Sequence, residues 1–162
     1  MLPQADTKLA VLFVCLGNIC RSPMAEGAFR KAAQEAGLDC DVQSVGTAAY
    51  HIGEAPDPRA IATARAHGVD ISWAIGRQLE PEDFDRFTHI YALDKANLAG
   101  ILGRAPRAAR EKVSLLMDVV PGREGEAVAD PYYGDESDFE DAWKDIDAAA
   151  RHLVEKLKSD LP

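Results

Sequence analysis

The sequence predicts an α/β fold of three layers: a four-stranded parallel sheet with helices on both faces. Three observations predict it. Short apolar runs alternate along the chain with longer amphipathic stretches, the order that builds strand–helix–strand units. The first apolar run is continuous rather than alternating, as a strand covered on both faces requires. Glycine closes the helical stretches at Gly37, Gly68 and Gly103, where the chain must turn back toward the sheet.

The elements follow in order. Leu9 to Val14 reads as the first strand. Ser22 is placed to cap a helix, Pro23 to occupy its first position, and Met24 to Ala36 to form its Ala-rich body. Asp41 to Val45 alternates as a second strand and ends at Gly46-Thr47. Pro58 to His67 reads as a helix, His89 to Leu93 as a third strand and Lys95 to Leu102 as the next helix. Lys112 to Met117 supplies the fourth strand. Asp118 to Gly134, with two prolines and three glycines, reads as a long loop. Ser137 to Leu157 closes the chain as an amphipathic helix whose apolar face carries Phe139, Ala142, Trp143, Ile146, Leu153 and Leu157.

Composition fits one domain over residues 1–162, long enough to bury a real core, with 47% apolar and 28% charged residues. The sequence holds no apolar run of the roughly 20 residues that a membrane span needs. The lead from Met1 to Lys8 is polar and lacks the apolar stretch of a secretion signal, so a cytoplasmic protein is expected. Three cysteines do not make a disulfide framework. A net charge of −9 argues against nucleic acid as a partner and means that an anionic ligand must be held by local donors.

The chemistry concentrates in Cys15-Leu16-Gly17-Asn18-Ile19-Cys20-Arg21-Ser22-Pro23. A cysteine ends the first strand, an arginine follows six positions later, and a Ser-Pro pair opens a helix. In an open α/β sheet, ligands sit beyond the carboxyl ends of the strands, where Cys15 falls. A thiolate is stabilised beside arginine at a helix N-terminus and is a strong nucleophile. The backbone N–H groups from Leu16 to Arg21 can curl into a nest for the oxygens of an anion, and the planar fork of Arg21 matches a phosphoryl group. Ser22 can donate its hydroxyl to the Cys15 sulfur and ease its departure from a later thiophosphate. Asp130, in Asp130-Pro131-Tyr132-Tyr133-Gly134, is the candidate acid for a leaving group and then base for water. Glu124, Glu126, Asp135, Glu136 and Asp138 crowd the same stretch, and like charges nearby would favour a protonated Asp130.

The Cys15-to-Pro23 run closely resembles the phosphate loop of the low-molecular-weight protein-tyrosine phosphatases, and Asp130-Pro131-Tyr132-Tyr133 resembles their general-acid loop. Ser44-Val45-Gly46-Thr47, Pro56-Asp57-Pro58-Arg59, Arg77-Gln78 and Leu93-Asp94-Lys95-Ala96-Asn97 are similar to family segments in the same order, so the resemblance covers nearly the whole chain. It implies the four-stranded parallel fold, no cofactor and no metal, and hydrolysis of phosphotyrosine and small aryl phosphates through a cysteinyl phosphate. Carried over by position, Cys15 is the nucleophile, Arg21 binds the phosphoryl group and Asp130 is the acid. Leu16, Gly17, Asn18, Ile19, Cys20, Arg21 and Ser22 hold the phosphate, with Asn18 and Ser44 bracing the loop. The resemblance also implies a reversible Cys15–Cys20 disulfide that shields the nucleophile. Partners would be phosphotyrosine-containing proteins, with neither nucleic acid nor membrane. Family members self-associate weakly, but the residues here indicate nothing beyond a monomer.

Two positions depart from the family pattern. A loop-supporting histidine expected three residues before Arg77 is Ala74 here, so water or a repacked Trp73 should fill its place. The rim position often held by tryptophan is Tyr50, which keeps an aromatic wall together with Tyr132 and Tyr133. Rival functions can be ranked by residue. Arsenate reduction on this fold needs relay cysteines, and Gly76 to Leu98 contains none. A phosphoarginine phosphatase typically has threonine where this chain has Ile19. A catalytically silent phosphoprotein-binding module would lack Cys15 or Asp130. Neither Gly-rich nucleotide-binding motif occurs, and His51, His67, His89 and His152 show no metal-ligand spacing.

Overall fold

The computed structural model describes residues 8–161, so the polar lead before Lys8 lies outside the described residues. Strand β1 (Ala10–Cys15) is buried along its whole length because it has a neighbour on each side. Strand β2 (Asp41–Gly46) pairs with one edge of it, and β3 (His89–Ala92) with the other. Strand β4 (Val113–Leu115) completes a parallel sheet of order β2-β1-β3-β4. This central place explains the unbroken apolar run, since successive side chains enter two separate cores. Val11, Phe13 and Cys15 face the core built with helices α1 (Arg21–Ala36), α2 (Pro58–Ala66) and α5 (Glu136–Ser159). Ala10, Leu12 and Val14 face the core built with α3 (Asp83–Arg86) and α4 (Lys95–Leu102).

Local chemistry sets the helix ends. Gly37 and Gly68 follow α1 and α2 in left-handed backbone, at φ 70° and 80°, which closes a helix at little steric cost. Gly103 does not share this geometry and continues in right-handed backbone at φ −65°. Asp57 caps α2 through the Arg59 N–H, and Asp94 caps α4 through the Asn97 N–H. Asp135 and Asp138 form a capping box at the start of α5. The six apolar residues read from the α5 pattern are all buried, joined by Ala149, Ala150 and Val154.

The structure corrects three local readings. Ser22 does not cap α1: the helix starts at Arg21, no side chain caps it, and Pro23 is its third residue. The Ser22 hydroxyl contacts the Cys15 sulfur and the Asn18 amide instead. The fourth strand is only three residues long, flanked by 3-10 turns at Arg107–Lys112 and Leu116–Val119. It is an edge strand, bonded on one side alone, so nothing extends its ladder. The short helix α3 carries too few apolar residues for a periodic signal and was not foreseen.

Helix α1 packs tightly where Gly27 passes the Val69–Ile71 segment. A Cβ at Gly27 would lie 2.5 Å from Ile71 Cγ2 and 2.8 Å from Val69 Cγ1. Alanine is the better helix former by about 1 kcal/mol, yet the overlap with two branched side chains outweighs it. Gly27→Ala should therefore lower stability by about 1–2 kcal/mol, read as a lower urea midpoint with unchanged slope. A raised midpoint would show that the segment relaxes away from α1.

Candidate active site

The site begins where β1 runs out. Cys15 is the last strand residue, paired with Gly46. A Cβ on Gly46 would stand 2.7 Å from the Leu16 carbonyl oxygen, so glycine lets the following loop lie close over β2. The loop turns at Asn18, the one non-glycine with positive φ among the described residues, at 60°; asparagine tolerates this region better than most side chains. The turn brings the Asn18 N–H to within 3.3 Å of the Cys15 sulfur. Among the described residues, no N–H from Leu16 to Cys20 donates to a backbone carbonyl, whereas the carbonyls of Leu16, Ile19 and Cys20 accept from Ala48, Asp57 and Met24. The loop is thus tied down through its oxygens.

The left-handed turn is held by the Asn18 side chain. Its Nδ2 donates to Ser22 Oγ at 2.8 Å and to Ser44 Oγ at 3.0 Å, while its Oδ1 accepts the Arg77 N–H at 3.0 Å. Ser22 Oγ lies 3.1 Å from the Cys15 sulfur and 3.4 Å from the Val45 carbonyl, so its single proton can serve either. Arg77 is itself fixed by both oxygens of Asp83 at 3.0 and 2.8 Å, which gives the unforeseen α3 a role in the site.

Beyond Ser44 the network reaches Glu26, only 4% exposed. Ser44 Oγ donates to Glu26 Oε1 at 2.7 Å, and the Arg30 guanidinium donates to Oε2 at 3.0 Å. Burial pushes the Glu26 carboxyl above its usual pKa, opposed by the Ser44 hydrogen bond and by Arg30. Trp73 does not repack into the place beside Ala74: it stays about half exposed, with its Nε1–H donating to the Asp70 carbonyl and the Arg30 guanidinium 5.0 Å from its ring centroid. A cavity of about 250 Å³ remains between Trp73, Ala74 and Glu26.

Arg21 is 3% exposed. Its Nη1 donates to Asp94 Oδ2 at 2.7 Å and to the Val128 carbonyl at 2.9 Å. Its Nη2 faces Asp130 Oδ2 at 3.6 Å. Three of the five carboxylates expected to crowd Asp130 are engaged elsewhere: Glu126 pairs with Arg123, Asp135 caps α5 and Asp138 accepts the Asp135 N–H. The charged neighbour of Asp130 is Arg21.

These groups line one pocket of about 190 Å³, with the buried Cys15, Cys20 and Arg21 and the more exposed Leu16, Gly17, Ile19, Tyr50, His51, Asp130, Tyr132 and Tyr133. Tyr50 and Tyr133 are largely exposed and Tyr132 less so. Tyr132 and Tyr133 meet edge to face at 4.9 Å. Burial, the largest cause, pushes the Cys20 thiol far above its usual pKa and keeps it protonated at neutral pH. Sequence reasoning did not identify Glu26, Arg30, Asp94 or the support given by Arg77. Asp94 and Arg77 lie within segments already noted, but their partners come from distant parts of the chain.

Fold and site together define an α/β protein with a cysteine–arginine oxyanion loop at the carboxyl edge of a four-stranded parallel sheet. The model of the family described as low molecular weight phosphotyrosine protein phosphatase matches residues 10–162, and the chain belongs to this family. A low molecular weight phosphotyrosine protein phosphatase of Schizosaccharomyces pombe is 41% identical over 83% of this chain and 88% of its own. A protein tyrosine phosphatase of Entamoeba histolytica superposes with a TM-score of 0.90 at 34% identity, covering 94% of this chain and 98% of that one. The YwlE arginine phosphatase superposes with a TM-score of 0.86 at 27% identity, covering 94% and 97%.

The Asn18 network has a direct test. Asn18→Ala removes three side-chain hydrogen bonds, two of them buried, and leaves a β-carbon in left-handed backbone, which should cost about 2–4 kcal/mol in urea unfolding. Ser44→Ala, which leaves Glu26 and Asn18 each one partner short, should cost about 1–2 kcal/mol. Equal and negligible losses would show that the loop holds its shape without this network.

Proposed function

We propose that the protein hydrolyses phosphotyrosine in proteins, and small aryl phosphates, through a cysteinyl-phosphate intermediate. One observation carries the reading: the Cys15 sulfur, the Arg21 guanidinium and the Asp130 carboxyl line the same small pocket beneath an aromatic rim. Phosphate oxygens are received by the Arg21 fork and by loop N–H groups that are not bonded to backbone carbonyls. The Cys15 thiolate, supported by the Asn18 N–H and the Ser22 hydroxyl, attacks phosphorus from the pocket floor. The phosphorus–oxygen bond to the phenol breaks as Asp130 gives that oxygen its proton. Asp130, now a carboxylate, takes a proton from water as the water oxygen attacks phosphorus. The sulfur–phosphorus bond then breaks, Ser22 stabilises the departing thiolate, and inorganic phosphate leaves.

The aromatic groups set the substrate class. Tyr50 and Tyr132 wall the pocket and suit a phenyl ring. The likeness to an arginine phosphatase supports a second reading, phosphoarginine hydrolysis. Ile19 weighs against it, since it adds an apolar face and no hydroxyl to the pocket. Arsenate reduction is less suited, because the third thiol, Cys40, precedes the amino end of β2 while Cys15 ends β1. Three unpaired cysteines fit a reducing compartment, and we place the enzyme in the cytoplasm as a single domain. No helix among the described residues is long and apolar enough to cross a membrane.

Cys15→Ser should abolish turnover, and Asp130→Asn should lower kcat/KM for a phosphotyrosine peptide roughly 10²–10⁴-fold. Phosphotyrosine should be hydrolysed in preference to phosphoarginine, with no loss on adding EDTA; a preference for phosphoarginine would establish the second reading. We further propose that Cys20 protects the nucleophile. Peroxide converts the Cys15 thiolate to a sulfenic acid, and the Cys20 thiol condenses with it to a disulfide with release of water. Activity lost to peroxide should return with dithiothreitol in the parent and far less in Cys20→Ser. Equal recovery would remove Cys20 from this role.

A further inference from the structure

We propose that Arg59 is a positioning residue for the acid step: it straps the Asp130 loop to the phosphate loop and so fixes the spacing of acid and nucleophile. The proposal rests on Asp130 being the general acid, as proposed above. A continuous chain of hydrogen bonds carries it. At one end the Asp57 N–H donates to the Ile19 carbonyl of the phosphate loop at 2.8 Å. The Asp57 carboxylate then receives Arg59 in two-point fashion, Nε at 3.0 Å and Nη2 at 2.9 Å. The far side of the same fork donates to the Tyr132 carbonyl at 2.9 Å and the Gly134 carbonyl at 3.2 Å. The Tyr132 N–H donates in turn to Asp130 Oδ1 at 3.1 Å.

Before Asp130 the acid loop is anchored at Val128, whose N–H donates to the Leu93 carbonyl and whose carbonyl accepts Arg21, and Pro131 is buried. The exposed stretch from Tyr132 to Gly134 has little else to hold it. Among the described residues, the hydrogen bonds that join residues 129–134 to the rest of the fold come from Arg59, the remaining ones being local to the loop and to the start of α5. The Asp130 carboxyl itself is tied by its ion pair with Arg21. A bound phosphoryl group would compete for that guanidinium, leaving the Val128 anchor on one side and the Arg59 strap on the other to keep the acid in place. The Arg59 guanidinium also lies 4.6 Å from the Phe139 ring centroid at the foot of α5 and 5.6 Å from that of Tyr132. Two bonds to Asp57 and two to the loop, in one plane, need a guanidinium; a lysine ammonium cannot make both sets.

The test separates acid positioning from general stability by leaving group. Phosphotyrosine, whose phenol has an ordinary pKa of about 10, needs the acid, whereas the phenolate of p-nitrophenyl phosphate leaves with little help. Values of kcat/KM for both substrates would be measured on the full chain and on Arg59→Lys, Asp57→Asn and Asp130→Asn. Arg59→Lys should lower phosphotyrosine turnover about tenfold while p-nitrophenyl phosphate falls less than about threefold. Asp57→Asn, which keeps the α2 cap and loses the charged two-point pair, should move the ratio the same way by less, and decides alone if Arg59→Lys does not fold. A discriminating Asp130→Asn beside variants at 59 and 57 that lower both substrates equally, or neither, overturns the strap and leaves the acid in place. An Asp130→Asn without discrimination overturns the acid assignment and the strap with it.

Discussion

The buried guanidinium of Arg21 is the constraint on which the rest of the site depends. A charge only 3% exposed cannot be left unpaired in a protein interior without a penalty of several kcal/mol. Its position at the first residue of α1, directly after the loop, therefore dictates what must converge there. Asp94 arrives from the end of β3 and does two jobs at once, its Oδ1 capping α4 and its Oδ2 receiving Arg21. The Val128 carbonyl arrives from the long loop, whose own N–H at that residue bonds Leu93. Sheet order makes this meeting geometrically simple, because β3 lies beside β1 and its carboxyl end is next to Cys15. One face of the guanidinium is thereby fixed and Nη2 is left toward the pocket.

The same arrangement resolves a conflict of charge. A protein with net charge −9 repels a phosphate dianion at long range, and Asp94 and Asp130 stand within the site itself. On the proposed function, attraction is short-ranged and directional, supplied by the Arg21 fork and loop amides. Such donors act over distances shorter than the roughly 8 Å Debye length of physiological salt. Recognition is set by the fit of the anion within the loop more than by steering toward it.

What was legible in the sequence and what was not divides along physical lines. Alternating strands and helices could be read because burial leaves a mark on neighbouring residues, an unbroken apolar run in β1 and a helical period in α5. Cys15, Asn18 and Arg21 could be singled out because the loop that unites them is contiguous. The partner of a buried polar group leaves no such trace. Arg21 finds Asp94 and Val128 across 73 and 107 positions, and Arg77 finds Asn18 across 59. Ser22 was misread for a related reason: Ser before Pro satisfies the local rule for a cap, but a sulfur seven residues back and an amide four residues back compete for its oxygen. Edge strand β4 and the short α3 escape because each is too brief for periodicity.

The brace at Glu26 shows how a strained loop can keep its shape after losing a long-range support. The left-handed turn at Asn18 persists only if its surroundings over-determine it, and the chain of hydrogen bonds through Ser44 ends on a buried carboxylate. That carboxylate needs a cation. The family resemblance leads to a histidine at the place of Ala74, which would support Asn18 and Ser44 from another segment. Arg30 stands four residues after Glu26 on α1 and meets it along the helix face. It also donates to the Val42 carbonyl of β2 at 2.6 Å, the strand that presents Ser44. This support is therefore local to the helix that begins with Arg21, so Arg21, Glu26 and Arg30 are carried by one element. The cavity beside Ala74 is lined by this network, with Glu26, Arg30, Ser44 and Arg77 on its walls, and each of the four keeps its hydrogen-bond partners there.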